Sequence, residues 1–179
     1  EPITHRGGMP GHFIQDGLKK GLKFGFTGGS DGHGLRWHHG VGTKEDEWQT
    51  GLTGIITNEL TIESVLSALK NRNTFATSGT RIQIHFSIND NLMGSDIEIS
   101  TSPEIEFEVV GTAPLKYVTI VRDNEDVFYF GKDTREGWGV KKKFVDTDTV
   151  EGSHYYYLRA ILEDGEVAWS SPIWVNIKK

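Results

Sequence analysis

Hydrophobic and polar positions change their spacing near the middle of the chain, which predicts two kinds of structure. In the first part, apolar residues recur at helical spacing over residues 12–21 and 62–71, the alternation over residues 22–27 predicts a strand, and the apolar run over residues 52–57 predicts another. This order of helix, strand, loop, strand and helix is typical of part of an α/β unit. Because two strands cannot close a barrel, we expect an incomplete α/β segment over residues 1–79.

The second part of the chain has the two-residue period of β-structure. Apolar and polar residues alternate strictly over residues 81–88 and again over residues 105–109. Five more segments have strand-like composition: residues 117–121, 127–130, 142–145, 155–162 and 173–177. Turn residues such as Asp164 and Gly165 separate these segments. We therefore expect an antiparallel β-sandwich of about seven strands, immunoglobulin-like, over residues 80–179, and an α+β fold class overall.

Composition narrows the class of protein without naming a function. The chain has 179 residues, of which 36% are hydrophobic and 25% are charged, as in an ordinary soluble globular protein. No apolar run approaches the roughly 20 residues that cross a bilayer, so we expect a soluble protein with no membrane partner. The absence of cysteine excludes disulfides, thiolate metal sites and cysteine nucleophiles, and it leaves the cellular compartment open.

Charge and histidine are distributed unevenly along the chain. The formal net charge is -6, and the acidic excess lies entirely within residues 81–179. An acidic chain without clustered lysine and arginine argues against nucleic acid as a partner, because binding to phosphate requires clustered basic residues. Five of the seven histidines lie in the first forty residues, which directs the search for chemistry to that part.

The strongest local signal for chemistry is the sequence Asp31-Gly32-His33, which follows a predicted strand. An aspartate and a histidine two positions apart can turn to the same side and offer one hard oxygen and one borderline nitrogen to a divalent metal. The alternative is that Asp31 caps a turn and His33 is a surface side chain. The polar stretch over residues 34–50 is longer than a plain connection requires, which favours a functional loop.

Three more residues in that stretch are candidates for a direct role. His38 and His39 offer an additional nitrogen ligand or a contact to phosphate, and Arg36 offers a two-pronged contact to a substrate phosphate. The alternative for the histidines is exposure on a surface loop, and the alternative for Arg36 is an ion pair with neighbouring acidic residues.

A longer set of segments resembles a known family. These segments are residues 13–33, 51–54, 60–61, 68–82 and 169–175. Together they resemble the last metal-binding segment of the PHP (polymerase and histidinol phosphatase) superfamily, in its branch of large PHP-like proteins of unassigned function. The resemblance covers nearly the whole chain.

The resemblance implies a distorted β/α barrel with a cluster of metal ions, zinc, manganese or iron, that activates water to hydrolyse a small ester, often a phosphate ester. It also implies that Asp31 and His33 are metal ligands. The family's first motif, His-x-His, and its middle histidine and glutamate ligands have no counterpart here. We therefore expect this chain to be the end of a PHP barrel with an appended β-sandwich, to depend on an upstream segment for the remaining ligands, and to be inactive alone.

A different class of function remains open on the sequence alone. The β-sandwich could be a non-enzymatic module that binds carbohydrate or another protein, with the α/β segment as a vestige. Exposed aromatic side chains lying together on one sheet face would favour that alternative.

Overall fold

Residues 12–29, 51–131 and 137–178 are described by the computed structural model. They contain two short helices, α1 (His12–Lys19) and α2 (Ile62–Lys70), and twelve strands. The strands are β1 (Leu52–Ile55), β2 (Thr74–Thr77), β3 (Gln83–Ile88), β4 (Asn91–Leu92), β5 (Asp96–Ile99), β6 (Glu104–Val110), β7 (Leu115–Arg122), β8 (Glu125–Gly131), β9 (Gly139–Val145), β10 (Gly152–Leu162), β11 (Val167–Ser170) and β12 (Ile173–Ile177).

The strands form two sheets that are almost entirely antiparallel. The smaller sheet has the order β4-β3-β6-β9, and the larger has the order β1-β2-β11-β10-β12-β5. Strand β10 holds the larger sheet together because one of its edges pairs with β7, which in turn pairs with β8, and the other edge pairs with β12 and β11 in succession. Only the pair of β12 and β5 is parallel among the described strands.

The main core lies between the two sheets. Strand β10 alternates, so that Tyr156, Leu158 and Ala160 are fully buried against residues of the smaller sheet such as Phe86 and Phe107. The predicted antiparallel sandwich is confirmed, because two sheets enclose a common core and all seven strands predicted over residues 80–179 form. The short strands β4, β5 and β11 were not predicted, because two to four residues are too few to establish an alternation.

A second apolar cluster covers the outer face of the larger sheet. It joins Leu18 of α1 and Phe26 to Tyr157, Trp169 and Trp174, which the sheet presents on the side away from the main core. The ring of Phe26 meets that of Tyr157 edge to face, with centroids 5.6 Å apart. Helix α1 and the segment that follows it are therefore packed onto the sandwich.

The strand predicted over residues 22–27 is wrong, because residues 22–29 have no regular secondary structure. The segment lies across the outer face of the sheet and bonds to side chains instead of a neighbouring strand. The amide of Phe26, for example, donates to Ser171 Oγ at 2.8 Å. Its alternating aromatic residues pack in the second cluster, which explains a strand-like pattern without a strand.

Helix α2 ends against the sandwich. Its N-cap is Thr61, whose Oγ1 accepts a hydrogen bond from the amide of Ser64 at 3.2 Å. Just beyond its last turn, Arg72 Nε donates to Gly94 O at 2.9 Å, and the guanidinium carbon lies 5.3 Å from the ring centroid of Trp174. The following strand, β2, pairs with β11 of the sandwich. The larger sheet therefore includes strands from both sides of residues 79–80. The division into two domains at that point stays a prediction.

Neither helix in the described parts of the chain has the length and apolar character needed to cross a bilayer.

Candidate functional site

The predicted site residues occupy a stretch that the structure does not describe. Outside the described ranges lie Asp31, His33, Arg36, His38 and His39. Their metal-binding and substrate-binding roles therefore stay predictions. The structure does describe the residues on both sides of this stretch, namely residues 28–29 before it and residues 51–53 after it, which we call the loop base.

One threonine connects the two sides of the loop base. The hydroxyl of Thr53 donates to Gly28 O at 2.8 Å and accepts from Gly28 N at 3.1 Å. Both backbone groups of Gly28 are satisfied by a single side chain, although this part of the chain lies in no strand. The point where the chain enters residues 30–50 is thereby fixed to the point where it returns.

Two glycines allow this close approach of backbone to backbone. A Cβ atom on Gly28 would lie 2.4 Å from Leu52 O, and one on Gly51 would lie 3.0 Å from Gly29 N and 3.1 Å from Thr77 O. The first distance is shorter than van der Waals contact allows, so only glycine fits at position 28. Gly28 therefore permits the tight backbone geometry of the loop base.

The loop base is attached to the sandwich through β2. Leu52 pairs with Thr77, and after β2 the amide of Ser78 donates to Val167 O at 2.9 Å. The Ser78 hydroxyl accepts from the amide of Val167 at 2.8 Å and donates to the carboxylate of Glu166. The loop base therefore rests on a hydrogen-bonded edge of the larger sheet.

Beside this edge lies one hydrogen-bonding group without a partner. The hydroxyl of Thr77 donates to Thr80 O at 2.7 Å, which closes a turn after β2. The hydroxyl of Thr80 is buried and has no hydrogen-bond partner among the residues described.

Histidines elsewhere have ordinary structural roles. In His154, Nδ1 lies 2.6 Å from a carboxylate oxygen of Asp123 and Nε2 lies 3.0 Å from Val150 O, so the ring connects the turn after β7 to the start of β10. His85 is exposed on β3. Both histidines are strand residues, His85 in β3 and His154 in β10. Within residues 12–29, 51–131 and 137–178, no group of three His, Asp or Glu residues could hold a metal ion.

Sequence reasoning missed the residues that hold the loop base, above all Thr53 and Ser78. Both lie next to a glycine, Gly54 and Gly79, and both look like ordinary strand or turn residues. Only the pairing of distant segments gives them their role. The available signal was indirect, since Gly28 and Gly51 lie on both sides of the long polar loop.

Replacing Thr53 with valine should release the loop base while keeping the shape of the side chain. We expect a loss of about 1–2 kcal/mol in the free energy of unfolding, because two backbone groups of Gly28 lose their partner. Amide hydrogen exchange at Gly28 should become faster. Thr57→Val is the matched control, because the Thr57 hydroxyl makes a similar local bond to Glu59 O at 3.1 Å at an exposed site. Equal exchange at Gly28 in the two variants would contradict this role for Thr53.

The family model for a protein of unknown function (DUF3604) matches residues 34–106. Two similar relatives are uncharacterized proteins of Chlamydia pneumoniae and Chlamydia trachomatis, which are 35% and 33% identical over 92% of this chain. This chain spans 29% of the length of each of these relatives.

Among solved structures, one similar chain is a fibronectin(III)-like module of Clostridium thermocellum CbhA. The match covers 52% of this chain and 98% of that chain, with 17% sequence identity and a TM-score of 0.37.

Proposed function

We propose that this chain contributes Asp31 and His33 to the divalent-metal centre of a hydrolase, of phosphoesterase type, within a longer protein. In this proposal the remaining ligands come from other parts of that protein, and the chain alone is inactive. The proposal also includes the PHP-like barrel that the sequence resembles. Relatives more than three times as long as the matched segment are in keeping with a site assembled from several segments.

The observation that carries the proposal is the loop base. Gly28 is bound through both its backbone groups to Thr53, and Asp31 follows three positions later. Because three residues of chain span at most about 11 Å, the proposal places Asp31 within reach of this hydrogen-bonded point. A short connection to a fixed point reduces the freedom of a ligand, and a ligand with less freedom loses less conformational entropy on binding.

The donor types suit the proposed group, but their number is too small. One carboxylate and one imidazole are appropriate ligands for zinc, manganese or iron. A catalytic zinc normally takes three protein ligands and keeps one open position. His38 and His39, close by in the sequence, and segments outside this chain are the proposed sources of the missing ligands.

Each candidate residue has a defined task in the proposed reaction. A divalent metal held here would supply Lewis-acid activation of the water that attacks the ester. Asp31 and His33 act as ligands and not as proton shuttles. Arg36 binds the phosphate of a small ester substrate through two parallel hydrogen bonds and thereby orients it.

Metal titration of purified variants tests the proposal. We expect calorimetry with Mn²⁺ to detect weak binding to this chain. Asp31→Asn and His33→Gln should each weaken that binding about tenfold or more, because each removes one of two ligands. Asp16→Asn on α1 and His85→Gln on β3 are matched controls at exposed positions, and they should bind as the unmodified chain does. Unchanged affinity in both loop variants, or no binding at millimolar Mn²⁺, would overturn the proposal.

A further inference from the structure

An exposed tyrosine lies flat on the outer face of the larger sheet. Tyr129 of β8 is 63% exposed, although it belongs to a strand with neighbours on the main core. A Cβ atom on Gly131 would lie 2.4 Å from Cε1 and 3.1 Å from the hydroxyl of Tyr129. The ring therefore extends along the strand over Gly131, where no side chain lifts it, and its other side faces solvent.

A second tyrosine extends this aromatic area. Tyr117 of β7 pairs with Gly131, and its ring centroid lies 5.0 Å from that of Tyr129, with 33° between the planes. The two rings form a shallow, slightly bent surface. It lies on the same side of the sheet as the cluster around Tyr157, since both Tyr117 and Val121 point away from the main core.

A hydrogen-bonded ion pair lies on the same face of the sheet as the two rings. Across the strands, Tyr129 pairs with Thr119, and Thr119 pairs with Arg159, so the three share one row on this face. Arg159 Nη2 donates to an oxygen of Asp126 at 2.7 Å; the Arg159 side chain is 12% exposed and the Asp126 side chain is 51% exposed. The exposed ring thus shares one face of the sheet with an ion pair whose charges cancel and whose accessible member is the carboxylate.

We propose that Tyr117, Tyr129, Asp126 and Arg159 form a binding site for one sugar ring of a neutral glycan. The flat C–H face of a pyranose with equatorial hydroxyls fits against the solvent side of Tyr129, where apolar area is removed from water. Its hydroxyls, which both donate and accept, fit the exposed carboxylate of Asp126, which Arg159 holds in place. The site is separate from the proposed metal centre and does not depend on it.

The charges favour a neutral glycan over other ligands that stack on aromatic rings. The Arg159–Asp126 pair has no net charge, and the whole chain carries -6. A nucleic acid would bring a phosphate with each base and would need several basic contacts. A neutral sugar meets no such repulsion.

Titration with cellohexaose, a β-1,4-linked glucose hexamer with equatorial substituents on every ring, tests the site. In ¹⁵N–¹H spectra of the chain we expect saturable shifts at Tyr117, Asp126 and Tyr129. Tyr129→Ala should weaken binding about tenfold or more, whereas Tyr129→Trp should keep it, because the indole retains a stacking face. Asp126→Asn should weaken binding severalfold without disturbing the rings.

The matched control is Trp138→Ala, because Trp138 is also a large exposed aromatic residue, 57% exposed, but it precedes a strand of the smaller sheet. This variant should bind cellohexaose as the unmodified chain does. No shifts up to about 10 mM sugar, equal affinity in Tyr129→Ala, or shifts centred on Trp138 would each overturn the proposal. In those cases Tyr129 serves only to cover Gly131 and support its strand.

Discussion

Replacing Asp146 with alanine should destabilise the fold by about 3 kcal/mol, because it leaves the partly buried Arg122 without its counter-charge and the buried Tyr156 hydroxyl without its acceptor. Asp146 is fully buried, and its carboxylate accepts from Arg122 Nη1 at 2.6 Å and from the Tyr156 hydroxyl at 3.0 Å. The amide of Asp148 donates to its other oxygen at 3.1 Å. One side chain thus connects β7, β10 and the turn after β9.

The pKa values of Arg122 and Tyr156 reflect their contacts with Asp146. Burial lowers the pKa of Arg122, but its hydrogen bond to Asp146 and the charge of that carboxylate outweigh the burial, so the pKa is raised above its ordinary value. Burial first, and then the charge of Asp146, raise the pKa of Tyr156. The arginine therefore stays charged and the tyrosine stays neutral at pH 7, which is the combination that donates to a carboxylate.

Urea denaturation of the variant against the unmodified chain measures the effect. The urea midpoint of Asp146→Asn should lie between those of Asp146→Ala and the unmodified chain, because the amide keeps the shape of the side chain but loses its charge. Glu98→Gln is the control, since Glu98 binds Lys178 at an exposed edge and its loss should change the denaturation midpoint little. An Asp146→Ala midpoint equal to that of Glu98→Gln would show that the pair of Arg122 and Asp146 contributes nothing to the free energy of unfolding.

Replacing Gly94 with alanine should cost about 2–3 kcal/mol. Gly94 has φ +94°, and a Cβ atom there would lie 2.3 Å from Asn71 O and 2.5 Å from Arg72 O. These are backbone atoms at the end of α2, so neither can move without displacing the helix from the sandwich. The amide of Gly94 also donates to Pro172 O at 2.9 Å, which limits movement on the other side.

Gly165→Ala separates the two contributions to this loss, which are the strain of a positive φ and the clash of the added Cβ atom with the end of α2. Gly165 has a similar φ of +89°, but nothing lies within 4 Å of the position of a Cβ atom. It should cost only the strain of a positive φ, about 1 kcal/mol. Urea denaturation of both variants, with hydrogen exchange along α2, makes the comparison. Equal losses in the two variants would mean that the contact of α2 with Gly94 does not hold the helix in place.

Local patterns in the sequence were sufficient for most elements. Strand β6 alternates from Glu104 to Val109 because one of its faces is buried and the other is in water, so period and burial agree. The alternation in residues 22–27 had a different cause, since Phe24 and Phe26 contact the second cluster without any strand partner. A two-residue period reports which side is buried and says nothing about backbone pairing.

Contacts between distant segments were beyond local reasoning. The pairing of Thr77 with Ala168, which ties the first part of the chain to the sandwich, joins two short strands whose sequences give no sign of each other. The bond of Thr53 to Gly28 is of the same kind. The composition of the loop between Gly29 and Gly51 predicts chemistry at Asp31 and His33, but the anchoring of that loop depends on the fold.

Paramagnetic broadening by Mn²⁺ tests the central claim most directly, because it reports where on this chain the metal binds. The account predicts that substoichiometric Mn²⁺ broadens the amide signals of Gly28, Gly29 and Thr53 first and leaves that of Ile105, in the smaller sheet, sharp. The combined Asp31→Asn and His33→Gln variant should lose this selectivity. Selective broadening elsewhere, or the same broadening at Gly28 in the double variant, would contradict the account.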